Sequence, residues 1–186
     1  MKKRTFVICL IVGLAVCTAV AVERKQKEKQ LSEKKTYLAV GVFDSRAVAL
    51  AYHNSDMFRR KLDEAKKQMD KAKAVGDANK IRELEAWGRQ GQKKAHLQGF
   101  GTADVSELLE YIKEQIPAIA KRAGVDIIVS KWNIAYQAED VSFIDITDEI
   151  VKAYNPDEKA FKWIDDLKNQ KPVPMEDLEK RGHTKF

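Results

Sequence analysis

The sequence predicts an α+β protein: a small strand-rich body with a projecting antiparallel α-helical hairpin, behind an N-terminal membrane or signal helix. Three observations carry this expectation. Residues 6–22 hold no charge, an apolar seam at helical spacing is interrupted once at Val75-Gly76-Asp77, and short runs of strand formers stand before and after that seam. With 186 residues, 44% hydrophobic and 33% charged, the chain can build one ordinary core plus an appendage.

Phe6 to Val22 is 17 uncharged residues behind Lys2, Lys3 and Arg4. As a helix it would span about 26 Å, close to the bilayer's hydrocarbon thickness of about 30 Å. Ala19-Val20-Ala21 offers the small-x-small pattern of a signal-peptidase site, so residues 1–22 read as a signal peptide or a retained membrane anchor. Leu14-Ala15-Val16-Cys17 approaches a bacterial lipobox, but Val16 is bulkier than the residue expected before a lipidated cysteine. Arg24, Lys25, Lys27, Lys29, Lys34 and Lys35 follow the run, and that excess of positive charge would by itself hold the downstream part in the cytoplasm. Residues 23–36 form a charged stalk in which Leu31 is the lone large aliphatic side chain before Tyr37.

Residues 37–154 make the principal domain. Tyr37 to Phe43 is the first strand, and Asp44-Ser45 can cap the helix that follows. Val48, Ala51, Ser55, Phe58, Leu62, Ala65, Met69 and Ala72 then recur at alternating spacings of 3 and 4, a heptad seam. Gly76 suits a left-handed helix end and Asp77 the next N-cap, so the chain reverses there. Ile81, Leu84, Gly88, Gly91 and Ala95 continue the seam, giving a hairpin over about 46–98. Folding it back pairs Phe58 with Ala95 and Leu62 with Gly91, which reads Gly88 and Gly91 as close-packing positions. Gly99-Phe100-Gly101 ends the second arm. A helix from Thr102 to Ala123, bent at Pro117 and stopped by Gly124, leads to the strand Val125–Val129. Ile134–Tyr136 and Ser142–Ile146 read as further strands, and Asp148–Tyr154 as a short helix. Residues 155–186 are a helical extension, amphipathic through Phe161, Ile164 and Leu167.

Several function classes are excluded by composition. Residues 23–186 carry 31 basic and 28 acidic side chains, net +3, too little for a nucleic-acid partner. Both cysteines, Cys9 and Cys17, lie in the apolar run, which leaves no thiol nucleophile or disulfide beyond it. His53, His96 and His183 are scattered, so no metal or cofactor site is assigned. Asp126, Asp140, Asp145 and Asp148 lack the spacing of a calcium loop, and Gly99-Phe100-Gly101 lacks the third glycine of a nucleotide loop. The chain is therefore expected not to be an enzyme, with no catalytic residue. Charge is uneven: residues 56–98 hold 12 basic and 7 acidic side chains, whereas residues 139–186 hold 8 basic and 12 acidic. A basic hairpin surface serves solubility or an acidic or amphipathic partner. Trp132 and Tyr136 read as core or assembly packing, with a ligand platform as the alternative.

In this order of elements the chain resembles the Skp (OmpH-like) family of periplasmic chaperones. The residues carrying the likeness are Ala39-Val40-Gly41-Val42-Phe43-Asp44, Gly124-Val125-Asp126-Ile127-Ile128-Val129, Ile134-Ala135-Tyr136, Val141 and Asp145 to Lys152. The resemblance covers residues 37–154 and implies an exported holdase, periplasmic or anchored in the inner membrane through residues 6–22, whose clients are unfolded outer-membrane proteins. It implies a homo-oligomer, a trimer, assembled through Val40, Val42, Ile127, Val129, Ile134 and Tyr136. It further implies that Arg59, Arg60, Lys61, Lys66, Lys67, Lys71, Lys73, Lys80, Arg82, Arg89, Lys93 and Lys94 form the positive arm surface that meets the client. The alternative is a membrane-tethered structural or scaffolding module that binds one folded partner.

Overall fold

A computed structural model of the chain describes residues 38–182; the expected membrane or signal helix and the charged stalk lie outside them. Among the described residues no helix is long and apolar enough to cross a membrane.

The body corrects the strand-rich expectation: 66% of the described residues are helical, and the sheet has three short parallel strands. Strand β1 (Val40–Phe43) lies at its centre, with β2 (Ile127–Ser130) on one side and β3 (Phe143–Asp145) on the other. Val40 stands opposite Ile127 and Phe143, and Gly41 opposite Ile128 and Ile144. The expected strand at Ile134–Tyr136 does not form. Both edges of β1 are already hydrogen-bonded, so those residues belong instead to the connection from β2 to β3.

The sequence dictates which sheet face is covered. Gly41 and Phe43 alternate with Val40 and Val42. A Cβ on Gly41 would lie 3.0 Å from Ile146 Cδ1 and 3.1 Å from Val125 Cγ2, so the glycine lets core side chains press on the sheet. Phe43, Val125 and Ile146 join the main core, and Ile128 packs against it. Val40, Val42, Ile127, Val129 and Phe143 are on the opposite face. Crossovers between parallel strands are right-handed, so the 131–142 connection, which must cross β1, runs over that second face.

Helix α1 (Ser45–His53) is the hub of the core. Asp44 caps it by accepting from the Arg46 backbone N–H at 3.0 Å, and Val48, Ala49 and Ala51 have no exposed surface. The seam expected to run unbroken from Val48 is cut after His53. Asn54 Nδ2 donates to the Leu50 carbonyl and the Ser55 hydroxyl to that of Tyr52, while Ser55 Oγ accepts from Phe58 N. Ser55 is therefore the cap of a second helix, α2 (Asp56–Val75), rather than a seam position. The first arm thus has 20 residues, about 30 Å.

Gly76, at φ 69°, closes α2 with Asp77 N donating to the Ala72 carbonyl at 2.9 Å. Asp77 Oδ1 then accepts from Lys80 N and starts α3 (Ala78–Phe100), whose C-terminal part packs on α1. Gly88 and Gly91 do not pack as the seam predicts. Both are exposed, and a Cβ on either would meet no atom within 4 Å. Gly88→Ala and Gly91→Ala should therefore each stabilise the chain by about 0.5–1 kcal/mol through helix propensity, read as a raised urea midpoint. A lowered midpoint would mean that the facing arm touches the glycines after all.

The expected 102–123 helix is divided into α4 (Ser106–Leu109), a 3-10 turn at Glu110–Ile112 and α5 (Ile116–Ala123). Pro117 falls in the first turn of α5, where its missing N–H is harmless, and so starts that helix instead of bending a longer one. Beyond β3, α6 (Thr147–Ala153) and α7 (Glu158–Lys168) pack on α1, with Ile150, Val151, Ala160 and Ile164 buried. Helix α8 (Met175–Gly182) packs on α3.

Candidate polypeptide-binding cleft

Where α2 leaves Ser55 and α3 descends onto α1, the two arms diverge around a cavity of about 640 Å3. Tyr52 and His53 of α1 form its base, Phe58 and Leu62 one wall, Trp87, Gly88 and Gly91 the other. Tyr111 closes one side. The aromatic rings form a continuous cluster: Tyr52 is 5.4 Å from Phe58 and 4.8 Å from Tyr111 between centroids, and His53 is 4.6 Å from Phe58. In the floor Tyr52 is buried and His53 half-buried, whereas Leu62, Trp87, Phe100 and Tyr111 keep 37–52% of their surface open to solvent. An exposed apolar concavity of this kind has the size and lining to receive apolar groups.

Its charges sit at the rim. Lys61 Nζ lies 5.8 Å from the centre of the Trp87 ring and 3.5 Å from Tyr111 Oη, so it meets aromatic groups rather than an acid. Lys94 pairs with Glu107 at 2.8 Å, and Gln98 Nε2 donates to the same carboxylate. Burial raises the Glu107 pKa, but the Lys94 ammonium and Gln98 amide outweigh it and leave the carboxyl below its ordinary range. Burial pushes the His53 imidazole down, against the hydrogen bond between Nδ1 and the Ala49 carbonyl, so His53 is neutral at pH 7. The Tyr111 hydroxyl is lowered chiefly by its hydrogen bond from Tyr52, and burial raises Tyr52. The cleft thus offers apolar contact, aromatic faces and a cation.

The predicted basic-arm residues divide by location. Lys61 and Lys94 line the cleft. Lys61 and Lys80 line a shallower hollow of about 340 Å3 further out between the arms, and Trp87 stands in the wall of both. Arg59 pairs with Asp56, Lys80 with Glu83 and Arg89 with Glu85, while Arg82 bonds Asn79. Among the described residues no acid lies within ion-pair reach of Arg60, Lys66, Lys67, Lys71, Lys73 or Lys93. These six are exposed on the outer surfaces of the arms and do not converge on the cleft. Tyr52, Trp87 and Tyr111 were not legible as cleft residues. Trp87 falls beside the seam positions Leu84 and Gly88, and no spacing in the sequence marks it as facing Lys61.

Of the predicted assembly residues, Val40, Val42, Ile127 and Val129 share the sheet face opposite the helices, with Ile127 42% exposed and Val42 buried. Ile134 and Tyr136 lie on the connection that crosses this face, and Tyr136 is 82% exposed. Trp132 is no open platform: its Nε1 donates to Asp44 at 2.9 Å and its ring carries Arg46 and Lys131. The four aspartates serve separate purposes. Asp126 accepts from Ala39 N, Asp145 from Thr147 N, Asp148 pairs with Lys168, and Asp140 is exposed. His53 and His96 both line the cleft, and among the described residues no group of three or more His, Cys, Asp or Glu could hold a metal ion.

At the C-terminal end of β1 lies a buried charge network that the sequence pattern does not reveal. Asp44 and Arg46, each 1% exposed, pair at 2.8 Å, and Lys131 reaches Asp44 at 2.9 Å. Arg46 also donates to the Leu167 and Gln170 carbonyls, tying the start of α1 to the end of α7. Burial raises the Asp44 pKa, but the bonds from Arg46, Lys131 and Trp132 together hold it at about 2. Every acceptor site of this carboxylate is engaged, which makes it a structural clasp.

Comparison with protein-family models, with curated proteins and with solved structures gives no match. The likeness to the Skp family therefore stands on the residues quoted above.

Proposed function

We propose that this protein is a non-enzymatic holdase, exported or membrane-anchored, that retains unfolded outer-membrane proteins on its helical arms. The observation that carries the proposal is the open aromatic cleft between the arm bases, wide enough for apolar side chains and rimmed by Lys61. Apolar uptake there is local and modest, while the unpaired cations farther out add many weak contacts. A chain held this way is delayed from aggregating without being buried irreversibly. The outer sheet face through Val40, Ile127 and Val129, with Ile134 and Tyr136, is the proposed contact between copies in a homo-oligomer, Val42 being covered already within the chain. Parallel sheets are ordinarily covered on both faces, and here a single irregular connection crosses the second one.

The test is dilution of a urea-unfolded outer-membrane β-barrel protein into buffer with the full-length chain, followed by light scattering and by client affinity. Suppression of aggregation is expected, weaker at high salt because the outer cations are screened. Trp87→Ala is expected to weaken client affinity about tenfold or more, as for a central aromatic anchor. Unchanged scattering in the presence of the chain overturns the proposal. So does tight one-to-one binding to a folded protein with no effect on unfolded ones, which points to scaffolding.

A further inference from the structure

A second cavity, of about 350 Å3, shares no lining residue with the cleft and lies at the carboxyl ends of β1 and β2. Its position is topologically special. The chain leaves β1 into α1 on the helical face and leaves β2 into the connection that crosses the other face. Adjacent parallel strands whose exits diverge in this way open a crevice, the place where open α/β sheets bind ligands.

Three features of the crevice point to one ligand chemistry. Ser45, the first residue of the nine-residue α1, lines it with 3% of its surface exposed, and its hydroxyl has no hydrogen-bond partner. A buried hydroxyl left unsatisfied is unfavourable unless something else satisfies it. The N-terminus of α1 brings partial positive charge to the same spot, shared with the Asp44 carboxylate that accepts from the Arg46 N–H. Behind it, Arg46 and Lys131 both pair with the Asp44 carboxylate, and with Asp104 in the lining two cations stand against two carboxylates, so no net negative charge opposes an anion. The acid in the lining, Asp104, is engaged with the Ser106 hydroxyl at 2.6 Å. Val105, Leu109 and Ile134 make the remaining wall apolar.

We propose that this crevice binds a small oxyanion-bearing molecule, a carboxylate or a phosphate monoester. Ser45, at the start of α1, holds the oxyanion while Asp44 keeps the Arg46 N–H, and the apolar wall receives the body of the molecule. The site is independent of the arm cleft, and its occupancy does not depend on the holdase reading.

Two probes distinguish the sources of the oxyanion. The full-length chain is titrated with inorganic phosphate and separately with butyrate, each against chloride at matched ionic strength, following the backbone amide resonances of Ser45, Arg46 and Asn133. Saturable shifts confined to the crevice are expected with at least one probe. Ser45→Ala is expected to weaken that binding about tenfold, the loss of one hydrogen bond to a charged group. Its urea midpoint should stay level or rise, because alanine removes a hydroxyl that has no partner. Absence of saturation with both probes, equal shifts with chloride, or equal affinity in Ser45→Ala would each overturn the proposal.

Discussion

Asp44→Ala should destabilise the chain by about 3–5 kcal/mol, because it strands the fully buried Arg46 guanidinium without its counter-charge. Loss of the α1 cap adds about 1 kcal/mol. The discriminating control is the double variant Asp44→Ala with Arg46→Met, which removes both charges and should recover much of the loss. Urea midpoints measure all three chains. A single-variant cost below about 1 kcal/mol would show that water reaches the guanidinium. The pH dependence follows in sign from the same carboxylate. Its folded pKa of about 2 lies below the ordinary aspartate value of 3.8, so the unfolded chain takes up the proton first. The contribution is complete above about pH 4 and is lost as pH falls towards 2.

Gly101→Val should release α8 from the body. A Cβ at position 101 would lie 2.6 Å from Met175 Sδ, 2.8 Å from the Leu97 carbonyl oxygen and 2.9 Å from Leu178 Cδ1. The Leu97 oxygen belongs to α3 itself and cannot yield, so relief at the joint between α3 and α8 requires the Met175 and Leu178 side chains of α8 to give way. A cost of about 1–3 kcal/mol is expected, the usual range for overpacking. Hydrogen exchange should accelerate across residues 175–182 in the variant more than in α1. Equal protection of α8 in both chains would show that the joint yields without undocking.

What the sequence makes legible here is local. Gly76 and Gly124 both adopt the left-handed conformation expected of a helix-ending glycine, and Asp44 and Asp77 cap helices through their own carboxylates as their positions predict. Each signal lies within a few residues of the effect. Ser55 failed as a signal because a small polar residue satisfies both a seam spacing and a cap, and only the tertiary setting of α1 decides between them. Gly88 and Gly91 failed because spacing cannot tell a glycine that admits a neighbouring helix from one that faces a void. The sheet was legible as separate runs but not as a parallel set, since its pairings join distant residues. The clasp at Asp44 was hidden for the same reason: Trp132 lies 88 positions away, and Arg46, only two residues on, is not a helix-face partner.

The central position of β1 also sets an order on synthesis. Ala39 bonds Asp126, 87 residues later, and Asp44 bonds Thr147, 103 residues later. At ribosomal rates of about 5–20 residues per second, the strand waits roughly 5–20 s for its second neighbour, while residues 56–100 can coil locally at once. A nascent copy therefore presents a bare Val40–Phe43 edge beside finished arms, and for those seconds it is itself the kind of polypeptide that needs shelter.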